Sequence, residues 1–139
     1  MNYLAIIVCA IAAMIIGMVW HSKALFGKAW MQVMGVDPNM TDEQMKEASK
    51  GMVWTYIAQF ILSLIEAFIL ALFVMMAATI GMGIMTAAWI FVGFMLPIIG
   101  GAALWSGKPK KLAWKMFGIS AGFHLVTIIV YSVILTAWR

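Results

Sequence analysis

Residues 52–77 read MVWTYIAQFILSLIEAFILALFVMMA, a stretch in which Glu66 is the one charged side chain. Coiled as a helix rising 1.5 Å per residue, the run is long enough to cross a hydrocarbon core about 30 Å thick. Glu66 then falls close to the midplane. A charged side chain at that depth costs roughly 3 kcal/mol on insertion scales, so such residues face a protein interior or a wet cavity. Glu66 is therefore the first candidate for a functional group.

Three further apolar runs, 3–20, 84–105 and 116–138, meet the same length requirement. The chain is 65% hydrophobic and 10% charged, which excludes an ordinary soluble domain. No alternating strand pattern occurs, and hydrocarbon leaves no backbone group unpaired, so the runs are expected to be helices. The sequence predicts an all-α polytopic membrane protein, one domain over 1–139, with four transmembrane helices and a short helical cytoplasmic loop at 21–51. The first run resembles a signal peptide only superficially. Few apolar residues precede Ala10-Ile11-Ala12 and no basic residue opens the run, so it is read as a retained span. Cys9, the single cysteine, excludes an intrachain disulfide and a cysteine-based metal cluster.

Orientation follows from the cations. Lys23, Lys28, Lys46, Lys50, Lys108, Lys110, Lys111 and Lys115 fall in or beside the 21–51 and 106–115 loops, and only Arg139 opposes them. The positive-inside rule places those loops in the cytoplasm and both termini outside a plasma membrane. The net charge of +4 thus describes a membrane surface, and no nucleic-acid partner is expected. Trp20, Trp30, Trp54, Trp105 and Trp114 cluster at the same boundary, with Tyr3, Trp89 and Trp138 toward the other, as aromatic belts do.

Within the long loop, residues 22–34 suit a helix lying in the interface, with Lys23 and Lys28 snorkelling. After the turn at Gly35-Val36-Asp37-Pro38-Asn39, Thr41 to Gln44 reads as a capping box. Glu43/Lys46 and Glu47/Lys50 are spaced to pair along that second helix. Thr79-Ile80-Gly81-Met82-Gly83 reads as a tight turn between the second and third spans. Lys108, Lys110 and Lys111 in the last loop are positioned to contact anionic lipid headgroups. Small residues at four-residue spacing, Ala5, Cys9, Ala13 and Gly17 on the first span and Ser63, Ala67 and Ala71 on the second, predict close helix contacts. Pro97, between Gly93 and Gly101, predicts a kink in the third.

Two polar lines stand out. Thr55, Gln59, Ser63 and Glu66 share one face of the second span; Ser120, His124, Thr127 and Tyr131 share one face of the fourth. Both lines have reason to turn inward. Counting residues from the span starts puts Glu66 and His124 roughly 6 Å apart in depth, close enough to meet directly or through a hydroxyl or water. Gln59, Ser63, Thr127 and Tyr131 complete a candidate proton, cation or substrate site. The alternative is a neutral Glu66 that only joins helices, with hydroxyls bonded to their own helix carbonyls. Methionines 75, 76, 82 and 85 gather near one turn, but with no His or Cys beside them they read as apolar filler rather than a copper site. No cofactor, metal ligand set or nucleophile triad is legible, so no enzyme is expected.

The opening pattern Gly17-x-x-Trp20-x-Ser22-x-x-Leu25-Phe26-Gly27-x-x-Trp30-Met31, with the closing Tyr131 and Thr136-Ala137-Trp138-Arg139, resembles the domain of unknown function 1761 family. His21 stands where the family's Trp-Tyr-Ser order has its tyrosine. The resemblance implies a small bacterial-type integral membrane protein with four spans, and it implies no activity. Function is then read from the residues: a small homo-oligomeric proton- or cation-linked transporter or channel using Glu66. The second reading is a scaffold or assembly factor working through the cytoplasmic loops. A reporter active only in the cytoplasm, fused after Arg139, is expected to be silent, and the same reporter inserted at 35–39 to be active. Activity at Arg139 contradicts the lysine-based orientation.

Overall fold

The computed structural model describes all 139 residues, and every regular element in it is helical. Four helical stretches are long and apolar enough to cross a membrane: Tyr3–Trp20, Val53–Val74, Ile80–Leu104 and Lys110–Ala137. The first is α1 and the second α4, with α2 (Gly27–Met34) and α3 (Asp42–Ser49) in the loop between them. The third span is composite, α5 (Ile80–Ile90) running through a π-helical turn (Phe91–Met95) into α6 (Leu96–Leu104), and the fourth is α7.

Three span boundaries differ from the sequence reading, the first being the end of the second span, at Val74 rather than Ala77. The third span starts at Ile80, because the Thr79 hydroxyl accepts the Met82 amide at 3.2 Å and caps the helix. The turn is therefore Met75–Thr79, and Gly81 and Gly83 lie inside α5. Gly83 serves packing, since a Cβ there would collide with the Thr136 hydroxyl of α7. The fourth span starts at Lys110, directly after Pro109, rather than at Met116. Proline's fixed φ suits the entry to a helix, and the lysine-bearing first turns continue beyond the apolar stretch.

The irregularity expected at Pro97 lies one turn earlier. Pro97 has no amide hydrogen, and its ring crowds the carbonyl four residues back. The chain adapts with the wider π turn, in which the Leu96 amide donates to the Phe91 carbonyl.

α7 is the hub of the bundle, packed against α1, α2, α4 and the whole third span. It lies antiparallel to α1 and is tied to it at three levels. Asn2 Nδ2 donates to the Trp138 carbonyl at 3.3 Å, the Cys9 thiol faces the Tyr131 carbonyl at 3.9 Å, and Trp20 Nε1 donates to the Ile119 carbonyl at 3.0 Å. Trp20 thus leaves the aromatic belt and packs inside, its ring against Gly122, where a Cβ would sit 2.8 Å from it. Trp54, Trp105 and Trp114 stay exposed on the lysine-rich side, and Tyr3, Trp89 and Trp138 on the other.

α1 and α4 pack through small residues. Ala5, Cys9 and Ala13 are buried on one helix, and Ser63, Ala67 and Ala71 on the other. Association in lipid gains nothing from hiding apolar surface, so close backbone approach and dispersion must supply it. Gly17, the last member of the first stripe, meets the Phe123 ring of α7 instead.

The loop is more docked than expected. Residues 22–26 form turns rather than helix. Gly27 opens α2 where a Cβ would lie 2.6 Å from the His21 carbonyl oxygen, and Val33 is buried. Lys115 of α7 donates to the Gln32 side chain at 2.9 Å, holding α2 on the bundle. Gly35, at φ 72°, ends α2, with the Val36 amide bonded to the Met31 carbonyl. The capping box forms in full: the Gln44 amide donates to the Thr41 hydroxyl at 3.2 Å, and the Thr41 amide to Gln44 Oε1 at 2.9 Å. Of the two ion pairs expected on α3, Lys50–Glu47 forms at 2.6 Å; Lys23 adds one not foreseen, to Asp42 at 3.2 Å.

Replacing buried Ala67 by Leu is expected to cost about 1–3 kcal/mol, the usual penalty of overpacking. Ala58→Leu, on the exposed face of the same helix, is expected to stay within about 0.5 kcal/mol. Thermal unfolding in detergent measures both. Equal losses would show that α4 does not pack through its small stripe.

Candidate functional site

Glu66 lies midway along α4, one turn beyond Ser63. It lines a cavity of about 300 Å³ between α4, the third span and α7, whose walls include Ile69, Phe73, Ile90, Met95 and Ile128. Its Oε1 is buried and has no hydrogen-bond partner. Ile90 and Met95 bracket the π turn, so the one break in regular helix geometry in the third span borders the glutamate's cavity. π turns recur at functional sites because they re-aim side chains and backbone at a fixed place.

Tyr131 is fully buried in α7, with its hydroxyl toward Ser63 and Glu66 but in no hydrogen bond of good geometry. Ser63 is buried, and Gln59 Nε2 donates to its hydroxyl at 3.5 Å. Glu66, Ser63 and Tyr131 therefore share one level, with Gln59 a turn away. Thr127 is buried close by, but its hydroxyl donates at 2.8 Å to the Phe123 carbonyl, four residues back on its own helix. It is already satisfied there.

His124 does not join Glu66. No hydrogen bond joins the two side chains: Glu66 Oε1 and His124 Nδ1 are each buried without a partner, and the α7 residue lining the glutamate's cavity is Ile128, one turn beyond His124. The His124 ring stacks edge-on against Phe123 at 5.1 Å. The neighbouring titratable side chain is His21, the residue that stands at the family's tyrosine position. His21 lies 5.6 Å from Phe123 and 5.1 Å from Trp30, with Nδ1 3.0 Å from the Gly17 carbonyl. Thr55 and Gln59 also depart from the expected inward line, both being exposed on α4. A four-residue stripe rotates by about 40° per step on a straight helix, so the face buried at Ser63–Ala71 turns outward by Thr55.

What the site can do is limited by its donors. The two ion pairs, Lys23–Asp42 and Lys50–Glu47, are both in the loop, so Glu66 has no fixed counter-ion. No group of three or more His, Cys, Asp or Glu side chains converges on a point that would hold a metal. One carboxyl, a phenol and a serine hydroxyl beside an apolar cavity can accept a proton or a single cation in exchange for one. At the lysine-rich end, Lys108 and Lys110 line a separate cavity, while Lys111 is exposed outside it.

These features belong to a helical membrane protein with four spans. The chain is a member of the family described as Protein of unknown function (DUF1761), whose model matches residues 4–136. No curated protein and no solved structure matches it.

Proposed function

We propose that the chain is a small, non-enzymatic, proton- or cation-linked transporter or channel of the plasma membrane, with Glu66 as its exchanging group. One observation carries this reading: a carboxyl oxygen buried in a span, without a partner, facing a cavity of about 300 Å³. A glutamate that merely joined helices would have its oxygens bonded across the interface, because hydrocarbon offers no substitute. Ser63 and Tyr131 are the groups able to pass a proton to or from it. The lysine-rich loops face the cytoplasm and both termini the outside, in the orientation that the reporter fusions test. The protein works as a homo-oligomer. Thr55 and Gln59 are both exposed on α4, and a second copy would cover them.

A scaffold role is the second reading, and α3 favours it. This helix buries none of its residues and is held to the rest by the Lys23 contacts to Asp42 and the Met40 carbonyl. Such a helix is free to bind a partner.

In proteoliposomes carrying a pH gradient, cation flux through the wild-type protein is expected to depend on pH. Glu66→Gln should fold and melt like the wild type, since the amide fills the same volume, yet flux should fall to background because an amide cannot exchange a proton. Pulling on α3 should leave flux intact: replacing Asp42, Glu43 and Glu47 by Ala is expected to change nothing. Unaltered pH-dependent flux in Glu66→Gln would remove the transport reading.

A further inference from the structure

At the lysine-rich ends of α6 and α7 lies a cavity of about 520 Å³, larger than the one at Glu66. Leu96, Gly100 and Ala103 form one wall, and Trp114 and Phe117 the other, their rings edge-on at 5.6 Å. Small residues open it. A Cβ on Gly100 would already touch the Phe117 ring at 3.6 Å, and any longer side chain there would fill the space. From Leu96 to Leu104 the groove runs along α6 for about 12 Å. It therefore descends from the interface, marked by the exposed Trp105 and Trp114, into the hydrocarbon.

The mouth of this groove is cationic. Lys108 and Lys110 line it, and no acidic side chain does. Neither lysine side chain takes part in the chain's two ion pairs or in any of its side-chain hydrogen bonds; the nearby Lys115 is the one engaged, to Gln32. The N-terminal end of α7 points into the same region and adds its positive end to the field. An apolar slot at membrane depth with uncompensated cations at its water-facing end is complementary to one class of molecule. That molecule carries a negative charge at the interface and a hydrocarbon chain below it.

We infer that this groove binds one anionic phospholipid from the lysine-side leaflet. Its phosphate lies between Lys108 and Lys110, and one acyl chain lies along Leu96, Gly100 and Phe117. The inference is independent of Glu66 and of any transport activity. It also distinguishes between lysines that a general electrostatic attraction would treat alike, because Lys111 is outside the groove.

Native mass spectrometry of the detergent-purified chain, titrated with phosphatidylglycerol or phosphatidylcholine of identical acyl chains, tests it. Phosphatidylglycerol is expected to bind roughly thirtyfold more tightly, the combined effect of two lysines at a membrane surface. Lys108→Ala with Lys110→Ala should bring it to the phosphatidylcholine level, whereas Lys111→Ala should leave it unchanged. Gly100→Leu should abolish retention of both lipids with all lysines intact. Ala102→Leu, on the exposed side of the same helix, is the control for folding. Equal binding of the two lipids, or equal losses from Lys111→Ala and the double variant, would overturn the site. Displacement of bound phosphatidylglycerol by glycerol phosphate would overturn the acyl-chain half of it. A lipid-free dimer lost in Gly100→Leu would show the groove occupied by a second copy and overturn it too.

Discussion

Hydrocarbon forms no hydrogen bonds, and that constraint organises the structure. It forces the backbone into helices that satisfy themselves, and it removes the hydrophobic drive that would hold soluble helices together. What remains is close contact, which explains why the stripes of α1 and α4 are built from Ala, Cys and Ser, with Ile6, Leu70 and Val74 buried beside them. The hydroxyls of Thr86, Thr127 and Ser132 obey the same constraint by donating to carbonyls of their own helices. Glu66 does not obey it, nor do His124, Tyr131 and Thr136, but Glu66 is the one carboxyl among them. An unpartnered carboxyl oxygen at that depth is a standing energetic cost, which a purely structural role would have no reason to retain.

The bundle supplies two chemically distinct places, each lined by α7 and the third span. At mid-depth, Glu66, Ser63 and Tyr131 meet an apolar cavity bordered by the π turn. At the lysine-rich end, α6 and the start of α7 enclose a groove with free cations at its mouth. The third span lines both, Ile90 and Met95 facing the cavity and Leu96, Gly100 and Ala103 the groove.

Features set by local chemistry were legible in the sequence, and those set by packing were not. The Thr41–Gln44 capping box and the turn that opens at Gly35 depend on a few neighbouring residues and formed as read. The four spans follow from composition, because no other fold can hide so much apolar surface. Gly83 misled, since glycine serves tight turns and tight helix contacts alike, and only the position of Thr136 on another helix tells which. The separation of Glu66 from His124 was illegible for a related reason. It depends on how far α7 slides through the bundle, which the Cys9–Tyr131 and Trp20–Ile119 contacts fix against α1, the helix that packs on α4. Glu66 itself needed no partner to be noticed, as a carboxyl in the middle of a span announces itself. The groove beside Lys108 and Lys110 required two helices to be set side by side before its walls existed.

The account rests on Glu66 lying at hydrocarbon depth beside an apolar cavity. A nitroxide attached at Glu66→Cys in a Cys9→Ala background, with the protein in lipid bilayers, reports that depth through its collisions with dissolved oxygen and with a water-soluble nickel chelate. The account predicts ready collision with oxygen and almost none with nickel, the reverse of the same label at Glu43→Cys on α3. Nickel accessibility at position 66 equal to that at position 43 would contradict it.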